Sequence, residues 1–258
     1  RRQRQMCIRD RLRSVLFCVL YLPKIFYIIN MKNSVATLKK HNDVSIITLD
    51  DGKANVFSYE MLTAINTCLD QVPKDSGSLV IAGRPGIFSG GFDLKTLGSG
   101  DVDAILKMVT LGYETLLTLF SFPRPVIAAV PGHSVALGIF VTCCADYRIA
   151  VDGEYICQAN EVRNNMDIPK QIMEIVKSRV NKRYFYRAVL NGDPLSMQES
   201  VEAGYIDELV SPDNLMQRVL EKAEDLATLG HPHYEKTKNV AQVEIVEKIQ
   251  KALADYKR

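Results

Sequence analysis

Residues 125–146, PVIAAVPGHSVALGIFVTCCAD, constrain the fold more than any other stretch. They open with an uncharged β-rich run, Val126-Ile127-Ala128-Ala129-Val130. The run breaks at Pro131-Gly132 and then reads as an apolar, small-residue helix ending near Asp146. A buried strand that feeds a turn and a helix aims backbone N–H groups into a cleft. Such a junction needs a sheet to hold the strand and helices to cover it.

The composition permits that architecture. Of 258 residues, 47% are apolar and 24% charged, which is the balance of a globular chain with a large core. The formal net charge is +2 and the body carries no sustained basic patch, so no nucleic-acid partner is expected. The six cysteines have neither metal-ligand spacing nor the density of a secreted scaffold. They read as small core residues of an intracellular protein in a reducing compartment. The head is different. Residues 1–13 are strongly basic and residues 14–30 mostly apolar, with Pro23 and Lys24 inside. Lys24 disfavours a membrane anchor, and a secretory signal lacks a small-residue cleavage site. Residues 1–30 are expected to be a non-core head, either translated adapter sequence or a targeting segment, with Met31 as a candidate start. No membrane contact is expected for the core.

From residue 34 the pattern becomes regular. Residues 35–38 and 44–49 form a candidate hairpin. Residues 58–72 read as a helix, with Met61, Leu62, Ile65 and Leu69 on one face and Ser58 as N-cap. Residues 78–82 form a short apolar strand before a Gly-rich stretch, 83–91. Residues 102–121 form a long amphipathic helix. After the 125–146 stretch come short strands at 147–150 and 155–157. Helices follow at 169–180, 181–190 and 196–203, the last opened by a Ser196/Glu199 capping box. An edge-like strand at 206–210 precedes helices at 211–229 and 235–256. Short strands alternating with helices indicate an α/β fold.

Two strand-to-turn junctions stand out: residues 79–93, and the 125–146 stretch. Each brings an apolar strand to a Gly-containing turn, and N–H groups from two such turns can hold a negative oxygen. Neither Gly run matches a dinucleotide or phosphate-loop pattern. On spacing alone, glycines that serve only the turn dihedrals explain both equally well.

The resemblance becomes specific at these residues. KAN at 53–55, IFSGGFDLK at 87–95, FPRPVIAAVPGHSVALG at 122–138, CADYRIA at 144–150, QANE at 158–161 and GYIDELV at 204–210 occur in order. Together they resemble the crotonase superfamily, also called the enoyl-CoA hydratase/isomerase family. The resemblance implies a repeated ββα spiral core over residues 31–210. It also implies a C-terminal helical region, 211–258, used for packing and for assembly as a homotrimer or hexamer.

The resemblance further implies an acyl-CoA substrate, with no cofactor beyond the coenzyme A that the substrate carries. The thioester enolate would be held by the N–H groups of Phe92 and Leu137, although both side chains are larger than the family's usual residues. Of the two hydratase glutamate positions, one falls at Phe140 and the other at Glu161. Phe140 cannot move a proton, so Glu161 as a single base implies isomerisation of a 3-enoyl-CoA to the 2-trans-enoyl-CoA, in fatty acid metabolism. A hydratase and a non-catalytic acyl-CoA- or RNA-binding protein are the alternatives. A Glu161 paired with Arg163 on the surface would favour the last. The substrate would lie against Ala54, Gly91, Phe92, Asp93, Leu94, His133, Leu137, Gly138 and Phe140. His133 reads equally as a turn histidine satisfied by backbone, and Asp93 as a turn former. Lys53, Arg84, Lys95 and Lys236 are candidate contacts for the coenzyme A phosphates or ordinary solvated charges. Mitochondrial, peroxisomal and cytoplasmic locations all fit.

Overall fold

The computed structural model of the chain describes residues 34–256. The expected head at 1–30 lies outside them. Ten strands form two sheets. They are β1 (Ala36–His41), β2 (Val44–Leu49), β3 (Ser78–Ala82), β4 (Gly86–Ser89), β5 (Val126–Val130), β6 (Gly132–Val135), β7 (Tyr147–Val151), β8 (Ile156–Gln158), β9 (Leu195–Ser196) and β10 (Glu208–Val210). The larger sheet runs β1-β2-β3-β5-β7-β10 and the smaller runs β4-β6-β8-β9. The β1–β2 and β8–β9 pairs are antiparallel and every other pair is parallel.

The order shows the repeat. In β3–β4, β5–β6 and β7–β8, the first strand joins the large sheet and the second joins the small one. The chain thus winds as a spiral of ββα turns, the α/β architecture expected. Every residue of β3 and β5 is buried. Successive side chains of a strand point to opposite faces. Leu79 and Ile81 accordingly enter the main core, whereas Val80 and Ala82 enter a second one. A parallel sheet buried on both faces needs helices on both.

Those helices are α1 (Tyr59–Gln71), α2 (Leu94–Leu97), α3 (Val102–Phe120), α4 (Leu137–Cys144), α5 (Lys170–Arg179), α6 (Met197–Ala203), α7 (Leu215–Ala227) and α8 (His233–Tyr256). The Ser58 hydroxyl caps α1 by accepting from Met61 N–H at 3.1 Å. Pro73 then follows the helix and prevents its continuation. Leu62, Ile65 and Leu69 face the main core, each burial contributing about 1.5–3 kcal/mol. Leu215, Val219 and Ala223 of α7 cover the second core. The Ser196/Glu199 capping box opens α6.

Three expectations change. The bare turn at Pro131-Gly132 is strand β6, and the helix after it waits until Leu137. In segment 181–190 only Tyr186–Leu190 forms a wide helical turn. Asn181 N–H is spent on Ala203 O at 2.8 Å, which ties that end to α6 instead. The strand at 206–210 begins only at Glu208, because Ile206 N–H bonds Ser200 O at 3.2 Å.

The last helix is fastened by a buried charge cluster. Lys238 of α8 donates to Asp146 Oδ2 at 2.7 Å, and Asp146 also accepts from Val126 N–H at 2.9 Å. Burial lowers the Lys238 pKa, and the Asp146 carboxylate opposes that shift. Removing Lys238 leaves Asp146 with the Val126 N–H and with Arg179, whose Nη2 lies 3.9 Å from Oδ1, so the buried pair loses its shorter contact. Lys238→Met is therefore expected to destabilise the protein by about 2–4 kcal/mol in urea denaturation. Hydrogen exchange should localise the loss of protection to α8.

Candidate active site

The first turn is built around Asn55. Its side chain donates to Leu49 O at 2.9 Å and Phe88 O at 3.2 Å, clamping the loop after β2 onto β4. Ser89 Oγ donates to Asn55 O at 2.6 Å and accepts from Gly91 N–H at 3.1 Å. Ala54 O accepts from Gly90 N–H at 2.9 Å. These bonds fix the path of the chain through Gly91 into Phe92.

The second turn crosses from β6 to α4. Ala136 N–H is held by Gln158 O at 2.8 Å. Ala136 sits at φ 52°, ψ −128°, a conformation that costs a non-glycine residue about 1–3 kcal/mol. Leu137 follows as the first residue of α4, where N–H groups have no intrahelical acceptor.

Gly91 brings the two turns together. Its φ is +94°, and a Cβ there would lie 2.5 Å from Ala136 Cβ and 3.2 Å from Leu137 N. Only glycine permits this approach. The Phe92 and Leu137 N–H groups have no acceptor among the described residues.

Both turns open into a cavity of about 250 Å³, lined by Gly90, Phe92, Ala136 and Leu137 among others. Glu161 lines it too. The residue follows β8 and is 8% exposed. Its carbonyl accepts from Asn164 N–H and Met166 N–H, both at 2.9 Å, and so anchors the loop that it begins. Asn165 in that loop takes φ 56°, a left-handed conformation that Asn tolerates better than most residues.

Among the described residues, the Glu161 carboxylate is met only by its own main-chain N–H. Oε2 has no hydrogen-bond partner among the described residues. Arg163 faces away, with Nη2 on Asp193 Oδ1 at 2.5 Å and Nε on Gly192 O at 2.7 Å. Burial pushes the Glu161 carboxyl up to about 7, with a small opposing effect from its own main-chain N–H. A buried carboxyl with such a pKa exchanges protons near neutrality.

The other candidate residues fall in several places. Leu94 lines the cavity and is 70% exposed. Asp93 caps α2, accepting from Lys95 N–H at 3.2 Å and Thr96 Oγ1 at 2.8 Å. Gly138 packs on Ser89, whose O lies 2.6 Å from the position of a Cβ. His133 Nδ1 accepts from Ile156 N–H at 3.2 Å, and the ring stacks edge-on with Tyr155. Phe140 is fully buried in the main core. Asp93, His133, Gly138 and Phe140 do not line the cavity. Each is engaged in capping, backbone bonding or core packing instead. Ala54 supports the wall through Gly90 rather than lining it. Arg84 is bound to Lys53 O and lies 3.8 Å from Asp50.

Several cavity residues escaped the sequence reading. Tyr113, Asn160, Met166, Asp167, Ile172 and Tyr256 all line it. Gly112, a glycine inside a helix, was the available signal for Tyr113. No local pattern marks Tyr256, which arrives from the far end of α8. All four described cysteines are buried, and burial raises their thiol pKa values, so none serves as a nucleophile. No described helix is long and apolar enough to cross a membrane.

Known proteins resemble this chain in sequence and in fold. An enoyl-CoA delta isomerase 2, peroxisomal, of Arabidopsis thaliana is 28% identical over 182 residues, covering 67% of this chain and 76% of the relative. A probable enoyl-CoA hydratase of Bacillus subtilis (strain 168) is 27% identical over 197 residues, covering 71% of each. The crystal structure of a probable enoyl-CoA hydratase from Mycobacterium tuberculosis H37Rv superposes with a TM-score of 0.82 at 33% identity, covering 85% of this chain and 93% of that one. The family model for enoyl-CoA hydratase/isomerase matches residues 39–256. With its spiral of ββα turns, the chain belongs to the enoyl-CoA hydratase/isomerase family.

Proposed function

We propose that the protein isomerises 3-enoyl-CoA to 2-trans-enoyl-CoA. The observation that carries this reading is the buried carboxylate of Glu161, with no cation beside it among the described residues, in the cavity onto which both N–H turns open. The thioester oxygen binds the Phe92 and Leu137 N–H groups. Glu161 removes a proton from C2, and the electron pair moves through the C1 carbonyl to give an enolate. The same proton returns from Glu161 to C4 as the double bond settles between C2 and C3. Donors that meet the charge only as it develops lower the barrier rather than tighten ground-state binding.

Hydration needs a group to activate water as well as one to handle the α-carbon. The position that supplies the second carboxylate by resemblance is Phe140, sealed in the core. The other carboxylate lining the cavity, Asp167, is exposed. A hydratase working through Asp167 is the second reading.

Three outcomes test the assignment. Glu161→Gln is expected to lower kcat for 3-enoyl-CoA by about 10²–10⁴-fold with little change in KM. Unchanged turnover would leave only a binding protein, and hydration of 2-enoyl-CoA at a comparable rate would install the hydratase instead. Gly91→Ala is expected to cost about 10²-fold or more in kcat/KM, because a Cβ drives the two turns apart. The acid limb of kcat/KM for the native protein should have its midpoint near pH 7, activity rising as Glu161 ionises.

The same carboxyl sets a stability signature. Its folded pKa lies above the unfolded one, so folding is favoured while it stays protonated. No cost exists well below pH 4.5, and the cost grows as pH rises through about 7. Glu161→Gln should therefore gain about 2–3 kcal/mol relative to the native protein between pH 4 and pH 8. Denaturation midpoints measured across that range check it.

A further inference from the structure

One wall of the cavity takes no part in proton transfer. Phe92, Tyr113 and Tyr256 stand edge-to-face in series, with ring centroids 6.1 Å and then 5.4 Å apart. The Phe92 ring lies against Gly112 of α3, where a Cβ would fall 2.6 Å from Phe92 Cε1. This glycine gives the ring a berth on the helix. Tyr113 is 8% exposed and carries the wall inward, whereas Tyr256 is 39% exposed and lines the same cavity. The half-exposed Tyr256 ring is the outer member of this aromatic partition. Tyr256 sits in the last turn of α8, which packs along α3 and α5. The Lys238–Asp146 pair holds that helix in place.

We propose that Tyr256 sets the acyl-chain length that the site accepts. This deepens the acyl-CoA reading above and rests on it. A cavity of about 250 Å³ holds roughly eight water-sized groups at ~30 Å³ each. The thioester carbonyl and its α- and β-carbons take part of that space. The chain beyond them meets aliphatic Val109 and Ile172 and ends against the aromatic partition. The substrate class is short- to medium-chain enoyl-CoA, of up to about eight carbons.

Calorimetric titration of the full chain with saturated butanoyl-, octanoyl-, dodecanoyl- and hexadecanoyl-CoA tests this without any chemistry. The native protein is expected to bind octanoyl-CoA about tenfold more tightly than dodecanoyl-CoA. Tyr256→Ala should move that ratio about tenfold toward the longer chain, and Tyr256→Trp should move the optimum toward butanoyl-CoA. Thermal unfolding of both variants, with no change in Tm, excludes loss of fold as the cause. A Tyr256→Ala protein that changes all four affinities by one common factor, or none of them, overturns the inference. So does native binding that keeps strengthening to hexadecanoyl-CoA. Failure to bind every acyl-CoA would overturn the acyl-CoA reading itself, whereas binding without isomerisation would overturn the reaction and leave the chain-length limit standing.

Discussion

The structure depends on one close approach. The Gly91 backbone lies against the Ala136–Leu137 turn at a distance no side chain would permit. Everything around it serves that contact. Strands β4 and β6 run parallel, and a bulge in their register falls between Ile87 and Ser89, just before the first turn. Asn55 fixes that turn from below, and Gln158 holds Ala136 from the side. The spiral of ββα turns delivers the two halves from segments more than forty residues apart in sequence. Local strain at Ala136 is tolerated because the surrounding hydrogen bonds over-determine it.

Glu161 illustrates a second balance. A carboxylate stripped of water and given no cation is a liability to folding. The neighbouring guanidinium could have neutralised it, but Arg163 is committed to Asp193 and to the carbonyls of residues 191 and 192. The result is a group whose protonated and ionised forms are both accessible near neutral pH. A tight ion pair would have made Glu161 more comfortable and useless as a proton carrier.

Much of this was legible in the sequence, for physical reasons. Buried parallel strands show as continuous apolar runs, so β3 and β5 were plain at 78–82 and 126–130. Helix α1 announced itself by period and cap. Strand β6 did not, because GHSV has neither an apolar run nor a strong alternation, and its pairing comes from β4 and β8. The wide turn at Tyr186–Leu190 was misread because helical periodicity does not reveal that Asn181 bonds elsewhere. In the site, the glycine turns and Glu161 were marked by motif. His133 and Gly138 sit in one of those motifs and Phe140 just after it, yet the His133 and Phe140 side chains and the bare Gly138 backbone are used by the fold. Tyr256 shows the opposite limit, since tertiary packing alone brings it to the cavity.

The two candidate donors belong to the main chain, and that decides which substitutions can reach them. Side chains at Phe92 and Leu137 are free to change size wherever α3 gives them room, as Gly112 does for both. Conventional mutagenesis at either position would alter packing and leave the N–H in place. Gly91 and Asn55 hold the backbone path, Gly91 by its close approach and Asn55 by its bonds to Leu49 O and Phe88 O. Replacing either amide by an ester, which deletes a single N–H and little else, would address the donor itself. Such a site is specified by the trace of the chain, and the side chains at the two donor positions serve packing.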